Sequence, residues 1–404
     1  MTLAPTLALP QQATANSLAQ ELNAAEFFAG IGLARLGLEA AGIKVTWAND
    51  LSSDKRQMYL AHFGQSAANH YKLADIKAVA ENLDEYDVPR DLSLAWASFP
   101  CTDLSLAGGR KGLAGKHSGT FWNFVTILEK LGEDRPPVVA LENVNGFATS
   151  HKGEDLKAAI RALNGVGYSV DVITLDARSW VPQSRPRLFL VAALQAPEQT
   201  QFLSRTLRPR WLDAIFADTS LRTHQAQLPA PPEPRNTGWT SIVEQVPLSD
   251  PRWWDESRME RFNSELSTVQ MQKIANIASS AVSYRTAYRR TRNGKPAWEV
   301  RADDIAGCLR TAGGGSSKQA VVRIQEGQPL RARWMTSVEY ARLMGADGYV
   351  LPDRLSQAVM GFGDAVCVNT VQWLSESYLV PLLEGKLSAT EELQEVPSSS
   401  KHRD

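Results

Sequence analysis

The run Ala25-Glu-Phe-Phe-Ala-Gly-Ile-Gly-Leu-Ala-Arg-Leu-Gly-Leu-Glu-Ala-Ala41 decides the fold. Ala25–Phe28 reads as a short strand and Gly32–Ala41 as an amphipathic helix, with a glycine turn between them. Such a turn lets backbone approach a ligand, and the helix N-terminus beyond it offers unpaired N–H groups. Outward from this unit the same rhythm repeats. Strands are expected at Val45–Asn49, Leu92–Ser98, Val138–Glu142, Ser169–Leu175 and Leu188–Ala192, and helices at Lys55–Phe63, Thr120–Leu131 and Gly153–Leu163. Alternation at this spacing predicts an α/β fold, a parallel sheet with helices on both faces.

The rhythm stops after about Leu194. The following stretch holds Pro229-Ala-Pro-Pro-Glu-Pro234, three tryptophans (Trp239, Trp253, Trp254) and Gly313-Gly-Gly-Ser-Ser317, which predicts a smaller, loop-rich module over 196–330. A helical pattern returns at Thr336–Met344, Leu355–Met360 and Val366–Leu383. The expected organisation is therefore a flexible arm over 1–22, a main domain over 23–195 completed by 331–385, the inserted module, and a disordered polar tail over 386–404.

Composition narrows the class. The chain has 404 residues, 43% hydrophobic and 22% charged, with a net charge of −1. No apolar run approaches the roughly 18–20 residues that span a bilayer, and no basic segment precedes an apolar one at the N-terminus. Cys101, Cys308 and Cys367 are too few and too scattered for a disulfide framework or a metal site, so a reducing, cytoplasmic setting is expected. Charge is uneven, however. Between Arg285 and Arg333 eleven basic residues face four acids, a net +7 that suits a polyanion or, more plainly, a solvated basic face.

Four strand ends carry candidate chemistry. Asp50 follows the second strand about twenty residues after the glycine turn, where an acid binds ribose hydroxyls, and Asp75-Ile76 suits an adenine edge. A helix cap is the plainer reading of either aspartate. In Ser98-Phe-Pro-Cys-Thr-Asp-Leu-Ser105, Pro100 fixes a turn that presents Cys101 at the carboxyl edge of the sheet, although a buried packing cysteine would look similar. A basic, glycine-rich stretch follows (Gly108, Gly109, Arg110, Lys111, Gly112, Gly115, Lys116, Gly119), suited to closing over a substrate. Leu141-Glu-Asn-Val144 places Glu142 at a strand end, and Gln183-Ser-Arg-Pro-Arg187 sets Arg185 and Arg187 on one side of an extended segment.

In this order the pieces resemble the DNA cytosine-5 methyltransferase family, with Phe28-Ala-Gly-Ile-Gly32, Pro100-Cys101, Glu142-Asn-Val144, Gln183-x-Arg-x-Arg187, Arg333–Gly345 and Gly361-Phe-Gly-Asp-Ala-Val366 as its successive landmarks. The resemblance covers residues 24–385. It implies a Rossmann-like S-adenosylmethionine-dependent domain with a target-recognition domain at 196–330. It makes Cys101 the nucleophile, Glu142 the partner of the base N3, Arg187 a contact of the base O2, and Arg185 support for the adjoining phosphate. The cofactor S-adenosyl-L-methionine would lie on Phe28, Ala29, Gly30, Ile31, Gly32, Asp50, Leu51, Asp75, Ile76, Pro100, Asp364 and Ala365. Double-stranded DNA would be met by Ser105, Arg110, Lys111, Arg310, Thr311, Gly314 and Ser316, with the target base flipped out of the helix. Cys308 is expected only to pack.

Some positions depart from the common family form. Thr102 stands for a glutamine, Leu104 for an aromatic, Asp50 for a glutamate and Asp364 for an asparagine, none of them a bond-making group. A tRNA methyltransferase on the same domain is one alternative, but its Cys-Phe-Thr landmark is missing. A non-catalytic homologue is another, though it would be expected to lose Cys101 or Glu142. The implied setting is a monomer, not bound to a membrane, that acts in a restriction-modification or defence system beside a cognate endonuclease, or as an orphan enzyme.

Overall fold

The computed structural model describes residues 21–100, 119–197, 204–311 and 318–387. Seven strands form the main sheet: β1 (Asn23–Phe27), β2 (Lys44–Asp50), β3 (Tyr71–Leu73), β4 (Leu94–Ala97), β5 (Val138–Val144), β6 (Ser169–Asp176) and β7 (Pro186–Ala193). Their order is β3-β2-β1-β4-β5-β7-β6. The chain thus starts at the centre, winds outward, crosses back and winds out the other way. Side chains alternate between two buried faces. In β7, Leu188, Leu190 and Ala192 join one core cluster, while Phe189 and Val191 join another. Burial on both faces is why such strands read as near-continuous apolar runs.

The sheet departs from the all-parallel expectation at one strand. β7 runs antiparallel to both β5 and β6. Apolar periodicity carries no information about direction, so this reversal was not readable from pattern. Two short elements also add to the predicted set, β3 and the helix Ile76–Glu81, which Asp75 caps by accepting from Lys77 N at 2.9 Å. The continuous helix expected over Val366–Leu383 is instead Val368–Leu374, a wider π-type turn Ser375–Leu379, and Val380–Leu383. Pro381 lacks the N–H that a regular turn would need at this point.

A second sheet lies within residues 283–334, and its last strand falls beyond the expected 196–330 boundary, in the returning segment. β8 (Ser283–Arg292), β9 (Lys295–Val300), β10 (Gln319–Ile324) and β11 (Arg331–Trp334) pair antiparallel in the order β11-β10-β8-β9. β8 and β9 join through Asn293-Gly294, both at positive φ (50° and 75°), as a two-residue primed turn requires. The tryptophans are core. Trp254 meets Phe262, Trp298 and Trp334 with ring centroids 5.1–5.8 Å apart, and Trp239 is fully buried. No described helix is long and apolar enough to cross a membrane.

Three segments lock this module to the main domain. Ser184 N donates to Ala306 O (3.0 Å) and Ala306 N to Pro182 O (2.7 Å). The Gln183 side chain accepts from Leu309 N at 2.9 Å and donates to Leu343 O at 2.6 Å. Arg185 donates to Leu309 O (2.8 Å), to Gly363 O (3.0 Å) and to Ala365 O. Within β11, the buried Arg333 donates to both carboxylate oxygens of Glu339 (2.5 and 2.8 Å). Glu339 closes a capping box with Thr336 and also accepts from Glu244 N.

Two outcomes follow for stability. Glu339→Ala leaves the Arg333 guanidinium buried without its counter-charge, and should cost about 3–5 kcal/mol, read as a lowered urea midpoint. Gly363→Ala should destabilise by roughly 1–3 kcal/mol, because backbone cannot yield as a side chain would. A Cβ there would stand 2.7 Å from the Arg310 carbonyl carbon.

Candidate active site

The carboxyl edges of β1, β2, β4 and β5 and the first residues of β7 meet along one rim of the main sheet. Antiparallel register sets Arg187 opposite Val144 and Phe189 opposite Glu142, so Arg187 and Glu142 are diagonal neighbours. Arg187 Nε donates to Glu142 Oε1 at 2.9 Å, and both side chains are largely buried. Asn143 Nδ2 donates to Phe99 O at 3.1 Å, and Phe99 packs against Phe121 and Phe147. The segment ending at Pro100 is thereby fastened beside Glu142. Cys101 follows directly but lies outside the described residues, as do Ser105, Arg110, Lys111, Gly314, Ser316 and the rest of the predicted closing stretch.

Arg185 does not sit as the sequence reading expected. It is 1% exposed and occupied by main-chain carbonyls, so it clamps the two modules and does not stand ready for a phosphate. Burial, then the neighbouring Arg187, pushes its guanidinium below the usual arginine value. Cys308, expected only to pack, lies half-buried at this junction. Its Sγ is 3.3 Å from Arg185 Nη1 and 3.9–4.0 Å from the Arg187 guanidinium. Burial raises the thiol, but Arg185, Arg187 and Arg310 together outweigh it and leave it below the ordinary cysteine value. Its signal in the sequence is faint, since only the fold brings it to residues 185–187. Arg310 is exposed beside it, and Thr311 is half-buried.

The second half of the rim surrounds the glycine turn. Phe28, Gly30 and Gly32 adopt positive φ (57°, 58° and 78°). For a bulky residue such as Phe28 this costs about 1–3 kcal/mol and persists only where its surroundings hold it. The holding contacts are visible: Ala29 N donates to Asn49 O (2.8 Å), Gly30 N to Asp50 Oδ2 (2.9 Å), and Tyr71 OH to Gly30 O (3.1 Å). Gly32 is obligatory for a second reason, since a Cβ there would enter the rings of Phe63 and Tyr59 at 2.5 and 2.6 Å. Beneath the turn Glu26 is buried, and burial, opposed by Arg35, pushes its carboxyl up to about 8.

Asp50 and the exposed Leu51 stand at the end of β2, Asp75 caps its helix at the end of β3, and Ile76 is buried. The C-terminal segment closes the ring, with Tyr349 OH donating to Ile31 O (2.7 Å) and Lys55 Nζ pairing with Asp364 Oδ2 (2.9 Å). Ala365 and Pro100 are half-buried on the same rim. Of the residues expected to hold a cofactor, Phe28, Gly30, Gly32 and Asp50 meet at the glycine turn, and Asp364 joins them through Lys55. Lys55 was missed because a helical lysine ordinarily faces water.

Among the described residues, six of the eleven basic side chains between Arg285 and Arg333 are ion-paired, two of them with acids outside the stretch, Glu265 and Glu339, and the stretch keeps a net positive charge. Arg285 pairs with Asp304, Arg289 with Glu265, Arg290 and Arg292 with Glu299, Arg301 with Asp303, and Arg333 with Glu339. Net charge by segment therefore overstates the field this module projects. No cluster of three or more His, Cys, Asp or Glu able to hold a metal ion occurs among the described residues.

Known proteins bear on this site. A protein-family model described as C-5 cytosine-specific DNA methylase matches residues 22–379. The type II methyltransferase M.HhaI of Haemophilus parahaemolyticus is 25% identical over 87% of this chain and 92% of its own length. M.Bsp6I of Bacillus sp. (strain RFL6) is 32% identical over 42% of this chain, and the match spans about half (51%) of that relative. Among solved structures, the Dnmt2 methyltransferase of S. pombe superposes with a TM-score of 0.55 at 17% identity, covering 89% of this chain and 99% of that one. At that identity the likeness is one of fold. The family match takes in both strand-end clusters and the returning segment, and the chain belongs to the C-5 cytosine-specific DNA methylase family.

Proposed function

We propose that the protein transfers a methyl group from S-adenosylmethionine to C5 of a cytosine flipped out of duplex DNA, through a covalent Cys101–C6 adduct. The observation that supports this most is the Glu142–Arg187 pair at 2.9 Å, beside the segment that Asn143 fastens just before Cys101. It offers a carboxyl group and a fixed cation to two neighbouring positions, N3 and O2, on one edge of a planar base.

Cytosine C5 is a weak nucleophile, and covalent addition divides the difficulty. The Cys101 thiolate bonds to C6, and the displaced electron pair makes C5 reactive. Glu142 holds or supplies the proton at N3, and Arg187 donates to O2, so the ring's charge is met where it develops. The cofactor supplies an electrophilic methyl carbon when bound. C5 then carries both methyl and hydrogen; loss of that proton restores the double bond as the Cys101–C6 bond breaks.

The residues around the glycine turn fit this cofactor. Asp50 retains acceptor capacity for ribose hydroxyls, Leu51 and Phe28 offer apolar surface to a purine, and Asp75 remains exposed for an exocyclic amine. The stretch 196–330 is assigned as the target-recognition domain, with Arg310 and Thr311 close behind Cys308, whose Sγ lies 3.9–4.0 Å from the Arg187 guanidinium. The type II names of the relatives favour a restriction-modification or defence setting, with an orphan methyltransferase as the alternative; the enzyme would act as a cytoplasmic monomer.

Bisulfite sequencing of DNA from cells expressing the chain tests the reading. Methylcytosine at one short motif is expected, and unmodified DNA beside modified tRNA would sink it. Cys101→Ser should abolish turnover while S-adenosylmethionine binding, followed by calorimetry, stays within about threefold. The same variant should no longer be trapped on duplexes carrying 5-fluorocytosine, because no thiolate adds to C6.

A further inference from the structure

One basic side chain faces the glycine turn. Lys55, in the first turn of the helix Ser53–Phe63, lays its stem along Gly30, where an added Cβ would stand 3.8 Å from Lys55 Cδ. Its ammonium donates to Asp364 Oδ2 at 2.9 Å, and the two side chains keep 20% and 47% of their exposure. Burial opposes its charge, yet Asp364 and Asp50 outweigh that and hold the group above the usual lysine value. An ammonium has three N–H donors, and Asp364 engages one in the hydrogen bonds of the described residues.

We propose that Lys55 binds the carboxylate of the cofactor's amino-acid part, with Asp364 as the resident counter-ion that keeps the ammonium at the mouth of the turn. This rests on S-adenosylmethionine being the cofactor. That molecule carries two positive centres, a sulfonium and an α-ammonium, and one carboxylate. Beside Gly30 the rim presents two acids (Asp50 and Asp364) and one base (Lys55), with Asp75 set apart as the cap of its own helix. Without Lys55 an entering carboxylate would meet two negative charges in a half-buried site, where such repulsion is poorly screened. The pairing also accounts for an aspartate at 364, because the acid there has a basic partner reaching from the opposite side of the pocket.

The test compares S-adenosylmethionine with its decarboxylated analogue, titrated calorimetrically into the full chain and into Lys55→Met, which keeps the apolar stem. Loss of a charge-assisted contact should weaken S-adenosylmethionine about tenfold or more while changing the decarboxylated analogue by less than about twofold. Unchanged binding of the analogue also certifies that the variant is folded. Equal loss for both ligands, or no loss for S-adenosylmethionine, would overturn the role given to Lys55. Failure of the unsubstituted chain to bind either ligand would instead overturn the cofactor reading, and the role of Lys55 with it.

Discussion

Antiparallel pairing of β7 with β5 is the constraint on which the site depends. Had β7 run parallel like its neighbours, Arg187 would begin the strand at the opposite rim, a full strand length from Glu142. Reversal brings the start of β7 to the end of β5, and register then leaves the two side chains diagonal to each other. Their ion pair is a product of topology and needs no specialised loop. The preceding segment, Val181–Arg185, is brought to the same rim, which is why the joint between the modules lies beside the Glu142–Arg187 pair.

That joint is built mostly from main chain. Arg185 lends one guanidinium to carbonyls of two distant segments, and Gly363 lets backbone touch backbone. Arginine suits this role because its planar fork stays charged when buried and satisfies several acceptors at once. Such contacts constrain the path of 306–311 but place no demand on the loops beyond it. The surface of this stretch can therefore change sequence without disturbing its seat.

Much of the main sheet was legible because period-2 burial and helical spacing are local. The helix Thr120–Leu131 agrees with its predicted bounds residue for residue, and every predicted strand is present. What escaped had physical reasons. β3 has three residues, too few to show alternation. β8 holds four arginines in ten residues, and its buried positions Tyr284, Thr286, Ala287 and Tyr288 do not keep a strict period of two. In the site, strand-end residues were legible from motif order, whereas partners supplied by remote segments were not. Cys308 joins Arg185 across 123 positions, and Lys55 joins Asp364 across 309. Asp75 is the helix cap that the plainer reading of its sequence expected, and its carboxylate is exposed.

Glu26 gives the glycine turn a chemical temperament of its own. Its carboxyl is pushed from an ordinary 4.5 up to about 8 by burial, so near neutrality it holds its proton in the folded chain and would release it in the unfolded one. A raised folded-state value means that its contribution to stability is complete below about 4.5 and is lost as pH climbs through about 8. Alkali therefore threatens this protein from beneath its glycine turn: the first element to feel a buried anion is β1, on which the whole rim is hung.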